Sequence, residues 1–416
     1  MAASLTRYPL KILVVSQYFW PENFRINDLA SELKKKGHEV TVLTGYPNYP
    51  DGKVFEDFTR NPHLYSLYDG VEVVRVPLFP RGQGAFRLAL NYASFALSAC
   101  FFGVLKLRKK KFDRIFVFEP SPVTVGLPAI LLRWLKKAPV AFWVLDLWPD
   151  SLKAVGVVKS RVVLRLVGYL VSFIYSRCDV LLAQSKSFVI HIQKYCRKDQ
   201  KIEFFPNWAE DIFSDQISVE PAEELMQFEG TFKILFAGNI GDAQDFPAVL
   251  AAAELTAQQK DIQWIIVGDG RAAEWVKQEI VRLGLSNTVT MLGRFPLERM
   301  PSFYTAADAL LVSLKADEIF SLTIPGKVQS YLAAGKPLLA MLDGEGASVI
   351  LDAEAGLVSQ AGAAADLAKA ASELAAMKPE QRYVMGESGY RYYMAEFRRD
   401  ALICRLEQLL LHLHIK

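Results

Sequence analysis

Cysteine is scarce and scattered in this chain. Cys100, Cys178, Cys196 and Cys404 form no C-x-x-C pair and no metal-ligand spacing, which excludes a disulfide framework and a structural zinc and fits a reducing compartment. Histidine is nearly as rare, with five in 416 residues. No His/Asp/Glu cluster with ligand spacing occurs near the glycine-rich strand ends described below, so no metal is expected. Acidic residues are sparse in one half only: residues 1–200 hold 29 Lys and Arg against 15 Asp and Glu, the remainder 19 against 30. The net charge of +3 therefore conceals a basic half and an acidic one. A basic half calls for an anionic surface or substrate, and the lack of any RNA-binding or helix-turn-helix signature turns the expectation from nucleic acid to a membrane surface. The apolar run from Ile12 to Val15 is too short for a secretory signal and reads as a buried first strand, so a cytoplasmic location is expected.

Short apolar runs alternate with longer amphipathic segments, the pattern of βαβ units whose parallel sheets are buried on both faces. Strands are expected near Ile12 to Ser16, Val40 to Leu43, Val71 to Val76, Ile115 to Phe118, Val140 to Leu145 and Val180 to Ala183. A second series follows near Ile234 to Ala237, Trp264 to Val267, Val289 to Leu292, Ala309 to Ser313 and Leu338 to Met341. The length suits two α/β domains. Their boundaries are read as 1–207, a linker over 208–230 that is acidic and has no long apolar run, 231–385, and a C-terminal helical segment, 386–416, returning to the first domain. Open parallel sheets bind ligands at the carboxyl ends of their strands, which predicts one site in a cleft between facing loops.

Three strand ends in the second half carry glycine. Gly238-Asn239-Ile-Gly241, running on to Gln244, would let backbone amides approach a diphosphate at a helix start. Gly268-Asp269-Gly-Arg271 adds a cation, and Gly293-Arg294 marks a third strand end. The most informative stretch is Ile324-Pro325-Gly326-Lys327, which opens a helix that ends at Gly335. An ammonium at a helix N-terminus is slightly disfavoured by the helix dipole unless an anion is its partner. Lys327 there suits the charge that develops on a departing diphosphate.

These motifs, with Lys35 to Gly45, Pro47-Asn-Tyr-Pro50, Asp146-Leu-Trp-Pro-Asp150, Pro206-Asn-Trp208 and Gly335-Lys-Pro337, resemble the retaining glycosyltransferases of family 4. Within that family the branch similar to bacterial L-fucosamine transferases of surface-polysaccharide assembly fits best. The resemblance spans nearly the whole chain. It implies a GT-B fold of two Rossmann-like domains with parallel sheets facing a cleft, a nucleoside-diphosphate sugar bound mainly by the second domain, and retention of configuration with no cofactor and no metal. Two family features are missing. The paired glutamates are replaced by Leu322 and Ser330, and the arginine and lysine that grip the diphosphate near the first glycine loop are replaced by Asn239 and Gln244. Lys327 and Arg271 are the cations left for that task.

In the first domain Glu22 and Arg25, after the first strand, are read as acceptor contacts. Asp146, an acid among apolar residues, is read with Lys327 as part of the catalytic set, orienting sugar or acceptor. The expected reaction moves a sugar, an N-acetylated deoxyhexosamine, from a UDP-sugar to a polyprenyl-diphosphate-linked glycan, as in lipopolysaccharide O-antigen or capsule assembly. A UDP-sugar 2-epimerase of the same fold and a catalytically inactive nucleotide-sugar-binding protein are the alternatives. Residues 88–105 hold no charge and precede Lys106, Arg108, Lys109, Lys110 and Lys111. This segment, with Arg161 to Arg177, is expected to lie on the inner face of the plasma membrane without spanning it.

Overall fold

The computed structural model describes residues 9–415 apart from 83, 155–157, 159, 210, 214–218 and 260. The chain divides into two compact units, one running to Phe205 and resuming at Ile403, the other spanning Pro206–Leu402.

The first unit is built on β1 (Lys11–Val15), β2 (Glu39–Gly45), β3 (Leu67–Tyr68), β4 (Val71–Val76), β5 (Arg114–Glu119), β6 (Val140–Val144), β7 (Val180–Ala183) and β8 (Ile202–Phe204). Their order across the sheet is β3-β4-β2-β1-β5-β6-β7-β8, with only β3 antiparallel to its neighbour. The inner strands are runs of Val, Ile, Leu and Phe, buried on both faces, because crossover helices cover both sides of a parallel sheet. The order reverses direction between β1 and β5, which opens a crevice at their carboxyl ends.

The second unit repeats the plan with β9 (Phe232–Ala237), β10 (Ile262–Val267), β11 (Val289–Gly293), β12 (Ala309–Ser313), β13 (Leu338–Met341) and β14 (Gly356–Ser359). All are parallel, in the order β11-β10-β9-β12-β13-β14, and the switch point lies between β9 and β12. One core joins Ile234, Phe236, Trp264, Ile266 and Leu311 to the helices above the sheet. Every strand expected from the sequence is present, with ends moved by at most two residues. The strands β3, β8 and β14 were not anticipated.

The segment 208–230, read as a linker, folds onto the second unit. Trp208 is wholly buried, as is nearly all of Leu225, Glu224 takes both its hydrogen bonds from Arg299 at 2.8 and 3.0 Å, and the Ala222 amide donates to the Ser302 carbonyl. Of its acids, Glu224 serves that ion pair. The returning segment is also shorter than 386–416. Helix Pro379–Glu396 stays with the second unit, and only residues from Ile403 belong to the first. There Glu407, almost fully buried, meets His38 Nε2 and Lys36 Nζ, each at 3.3 Å, and the Arg114 guanidinium donates to the Leu410 and Leu411 carbonyls.

Candidate functional site

Beyond the ends of β9 and β10 the two glycine loops continue to pair. The Gly238 amide donates to the Val267 carbonyl and the Ile240 amide to the Asp269 carbonyl, both at 2.9 Å, and the Ala272 amide closes back on Ile240 at 3.0 Å. The backbones approach so closely that a Cβ on Gly268 would sit 1.9 Å from the Gly238 oxygen, and one on Gly270 2.2 Å from the Ile240 oxygen. Gly268 also has φ +144°, outside the range of ordinary L-residues. Glycine here is a steric requirement of the loop pair.

The pair forms one side of a cavity of about 640 Å³ within the second unit. Gly238, Asn239, Gly268, Asp269, Arg294 and Lys327 line it, joined by Ser330. Phe213, Phe295, Met300 and Tyr304 supply an apolar wall. Lys327 enters from the first turn of helix Gly326–Ala333, for which Pro325 is the N-cap. Its stem runs beside Gly238, where a Cβ would lie 2.7 Å from the lysine Cε. Its Nζ stands 3.4 Å from the centre of the Phe236 ring and has neither solvent contact nor a hydrogen-bond partner. Burial alone pulls its pKa down from 10.5 to about 7. An ammonium held this way, with ring electrons beneath it and no counter-ion, is poised for an anion arriving from the cavity. The adjacent Tyr331 hydroxyl bridges the Ala237 amide and carbonyl at 3.1 and 3.2 Å, and the Gln329 side chain donates to the Asn207 carbonyl at 2.9 Å. These three bonds fix the helix that carries Lys327.

Several expected donor contacts fall outside the cavity lining. Arg271 is exposed on the turn after Gly270, because the loop bond from Ala272 to Ile240 occupies the inner side of that turn. Gln244 spends its side-chain oxygen on the Gly241 amide at 3.0 Å and its carbonyl on the Ser313 hydroxyl at 2.7 Å, so it stiffens the loop. Gly241, Gly293, Ile324, Pro325 and Gly326 are likewise absent from the lining. Ile324 is buried and Pro325 starts the helix. Ser330 lines the cavity but donates its hydroxyl to the Gly326 carbonyl at 3.2 Å. The aromatic wall gave no local sequence signal, since its residues lie far from any glycine-marked strand end.

In the first unit Glu22 does not project outward as an acceptor contact. It is buried, one oxygen accepting from the Asn48 and Tyr49 amides at 2.8 Å and the other from Phe19 at 3.2 Å. Burial raises its pKa against the pull of those three amides. It pins two loops together. Arg25 opens helix Arg25–Lys35 and is half-buried. Asp146 follows β6, and its carboxylate accepts from the Trp148 indole at 3.1 Å. Sequence reading missed its neighbour, Glu119, at the end of β5. This side chain is wholly buried. One oxygen faces the Leu145 and Asp146 amides at 3.4 and 3.3 Å, and the other has no partner. Burial first, then the Asp146 charge, lift the Glu119 pKa well above the usual range, and burial raises that of Asp146 as well.

Two family models match the chain in sequence: "Glycosyl transferase 4-like domain" over residues 23–208 and "Glycosyl transferases group 1" over 231–377. The protein is a group 1 glycosyltransferase. The transferase is 27% identical over 268 residues to the probable glycosyltransferase WbjE of Pseudomonas aeruginosa, covering 64% of this chain and 66% of that protein. It is also 27% identical over 345 residues to the putative colanic acid biosynthesis glycosyl transferase WcaI of Escherichia coli, covering 78% and 82%. Among solved structures it resembles Anabaena Alr3699/HepE in complex with UDP and glucose, with TM-score 0.65, 16% identity and coverage of 97% and 100%. A second match is the E. coli protein described as trehalose-6-phosphate bound with UDP-2-fluoro glucose, with TM-score 0.69, 12% identity and coverage of 97% and 100%. These neighbours identify the fold of the transferase as GT-B, with a Rossmann-like sheet in each unit. Among its described residues no group of three or more His, Cys, Asp or Glu is arranged to hold a metal.

Proposed function

We propose that this transferase moves an N-acetylated deoxyhexosamine, with retention of configuration, from a UDP-sugar to a polyprenyl-diphosphate-linked glycan in bacterial surface-polysaccharide assembly. The reaction takes place at the cytoplasmic face of the plasma membrane and needs no metal. The reading rests chiefly on Lys327, an unpartnered ammonium sealed into a glycine-lined cavity. The β-phosphate of the donor is the group that Lys327 and Arg294 would hold, and Lys327 would neutralise the leaving UDP. Names of relatives such as WbjE and WcaI favour the polysaccharide context. The test is a screen of labelled UDP-sugars against defined polyprenyl-diphosphate glycans, with NMR of the product to read its anomeric configuration. Interconversion of free UDP-sugar, or binding without turnover, would replace transfer with an epimerase or an inactive binding protein.

Two further outcomes are expected. Activity should survive EDTA, because a lysine takes the place of a cation in neutralising the diphosphate; loss in EDTA restored by Mg²⁺ or Mn²⁺ would overturn this. UDP binding should also depend on pH. Lys327 titrates near 7 when unpartnered, and a bound diphosphate raises that value. Affinity is then flat below pH 7 and falls by about tenfold per unit above it until the bound-state pKa is reached. Calorimetry in two buffers of different ionisation heat should record proton uptake above pH 7, and a flat profile with no uptake would remove Lys327 from the diphosphate site.

A further inference from the structure

Three surface helices of the first unit share a property that neither its core nor the sugar-transfer chemistry requires. Ala85–Leu107 runs for 23 residues and is long and apolar enough to cross a membrane, yet only a third of its most apolar window is buried. Gly126–Lys136 packs against it on one side and against Arg161–Tyr175 on the other. Stretches 84–111, 126–137 and 161–177 together contain twelve Lys and Arg and no Asp or Glu. Surface helices with so one-sided a charge are not what solubility selects.

The inner faces of the helices are accounted for. Tyr92, Phe95, Ala99 and Leu107 are buried, and a Cβ on Gly103 would press on the Leu43 side chain at 2.9 Å. The outer faces have no cover. Phe86, Leu97 and Phe101, which fall on one stripe of their helix, are 79%, 72% and 68% exposed, and Trp134 on the middle helix is 76% exposed. Leu166 and Tyr169 continue the apolar surface on the third helix. Some of the cations serve the fold: Lys136 caps the Leu107, Arg108 and Lys110 carbonyls, and Arg133 pairs with Asp179. Arg108, Lys109, Lys111, Lys137, Arg161 and Arg165 are exposed around the apolar faces.

We infer that these three helices form a single docking face for an anionic lipid surface, with Trp134 and the exposed Phe and Leu side chains entering the acyl boundary and the surrounding lysines and arginines meeting the head groups. The middle helix, Gly126–Lys136, is its centre. Large apolar side chains on helices that carry only cations, with Glu72 taken up by Lys110 and Glu39 beside the Lys109–Lys111 run, complement an anionic interface. Crossing the bilayer is excluded by the sheet. The helix Ala85–Leu107 leaves β4 and leads into β5, which pair with β2 and β1, and β1 pairs with β2. A span between them would tear one sheet across two sides of a membrane. The inference rests on the lipid-linked acceptor proposed above only for its purpose, not for its geometry.

Sedimentation with phosphatidylcholine vesicles, with and without phosphatidylglycerol, tests it on the full chain. The protein should pellet with the anionic vesicles, stay in solution with the neutral ones, and be released by salt. Trp134→Ser combined with Phe101→Ser should weaken vesicle binding by about tenfold, and so should Lys109→Glu with Lys111→Glu, while UDP binding and the melting temperature stay unchanged. Indole fluorescence of Trp134, compared with the Trp134→Ser protein, should shift to the blue on anionic vesicles. No difference between the two vesicle types, or binding untouched by both pairs of substitutions, overturns the docking face. So does concentration-dependent dimerisation abolished by Trp134→Ser, which would make the occupant a second copy. Transfer to a short-chain, water-soluble acceptor separates the two readings: it fails if the transferase proposal is wrong, and continues if only the docking face is.

Discussion

Replacing Lys327 by alanine should lower turnover by about two to three orders of magnitude, the usual loss when one stabiliser of transition-state charge is removed. The reason lies in what the lysine lacks. Its Nζ has no acceptor and no solvent contact, so no carboxylate competes with the incoming diphosphate and no water screens it. The same isolation costs stability in the free protein. A lysine whose pKa falls to about 7 on folding is less favourable folded than unfolded at every pH below its unfolded pKa, because the unfolded chain takes up the proton more readily. Lys327→Met, which keeps the stem over Phe236 and removes the charge, should therefore raise the melting temperature at pH 7 by a few degrees, corresponding to about 1–2 kcal/mol, while activity collapses. A thermal melt and a turnover assay on the same sample check both. Activity within a few-fold of wild type would remove Lys327 from the mechanism. A lowered melting temperature would show the side chain to be structural.

The second large effect is expected at Gly268. An added methyl meets the Gly238 carbonyl oxygen at 1.9 Å and its carbon at 2.9 Å. Both are backbone atoms of the opposing loop and cannot swing aside as a side chain would. The conformation at φ +144° adds strain for any L-residue. Gly268→Ala should cost about 3 kcal/mol or more in the second unit and abolish measurable UDP binding, since opening the loop pair moves Gly238 away from Lys327. Gly284→Ala is the control. It also replaces a glycine with positive φ, at +68°, but meets nothing within 4 Å, so it should cost only about 1 kcal/mol and leave UDP binding intact. Urea unfolding with UDP titration separates the two. Equal behaviour of both variants would mean that conformation rather than loop contact is what Gly268 provides.

The sequence reading was strongest where one physical cause dominates. Strands such as β6 and β12 are uninterrupted apolar runs because both faces of a parallel sheet are covered, and no competing pattern imitates that in such short segments. β3 has two residues, half exposed, and β8 reads Ile-Glu-Phe with no fully buried position, so periodicity had little to act on. β14 begins at Gly356, where any Cβ would strike the Leu338 carbonyl at 2.0 Å, and it reads as a turn until its neighbour is known. That Lys327 and the paired glycine loops line one cavity was legible because a motif places them within a few residues of a strand end. Arg271 and Gln244 fall outside that lining, because proximity in sequence does not say which side of the turn faces the cavity. Glu22 and Glu119 mark the other limit. An acid beside a strand end suggests chemistry, but whether its oxygens are already satisfied depends on amides 26 and 27 residues away.

The two units differ in how much of the chain must exist before each can be completed. The second is one continuous stretch, Pro206–Leu402, and holds its own sheet and core. The first lacks its final pieces until residues from Ile403 arrive. Until then His38 has no Glu407 opposite it, and the Arg114 guanidinium lacks the Leu410 and Leu411 carbonyls. On the ribosome, the half that is synthesised first is therefore finished last. Its buried histidine and the flank of β5 stay uncovered through the synthesis of the entire second unit, and a stop codon shortly before Ile403 would strike the fold of the first unit before that of the second.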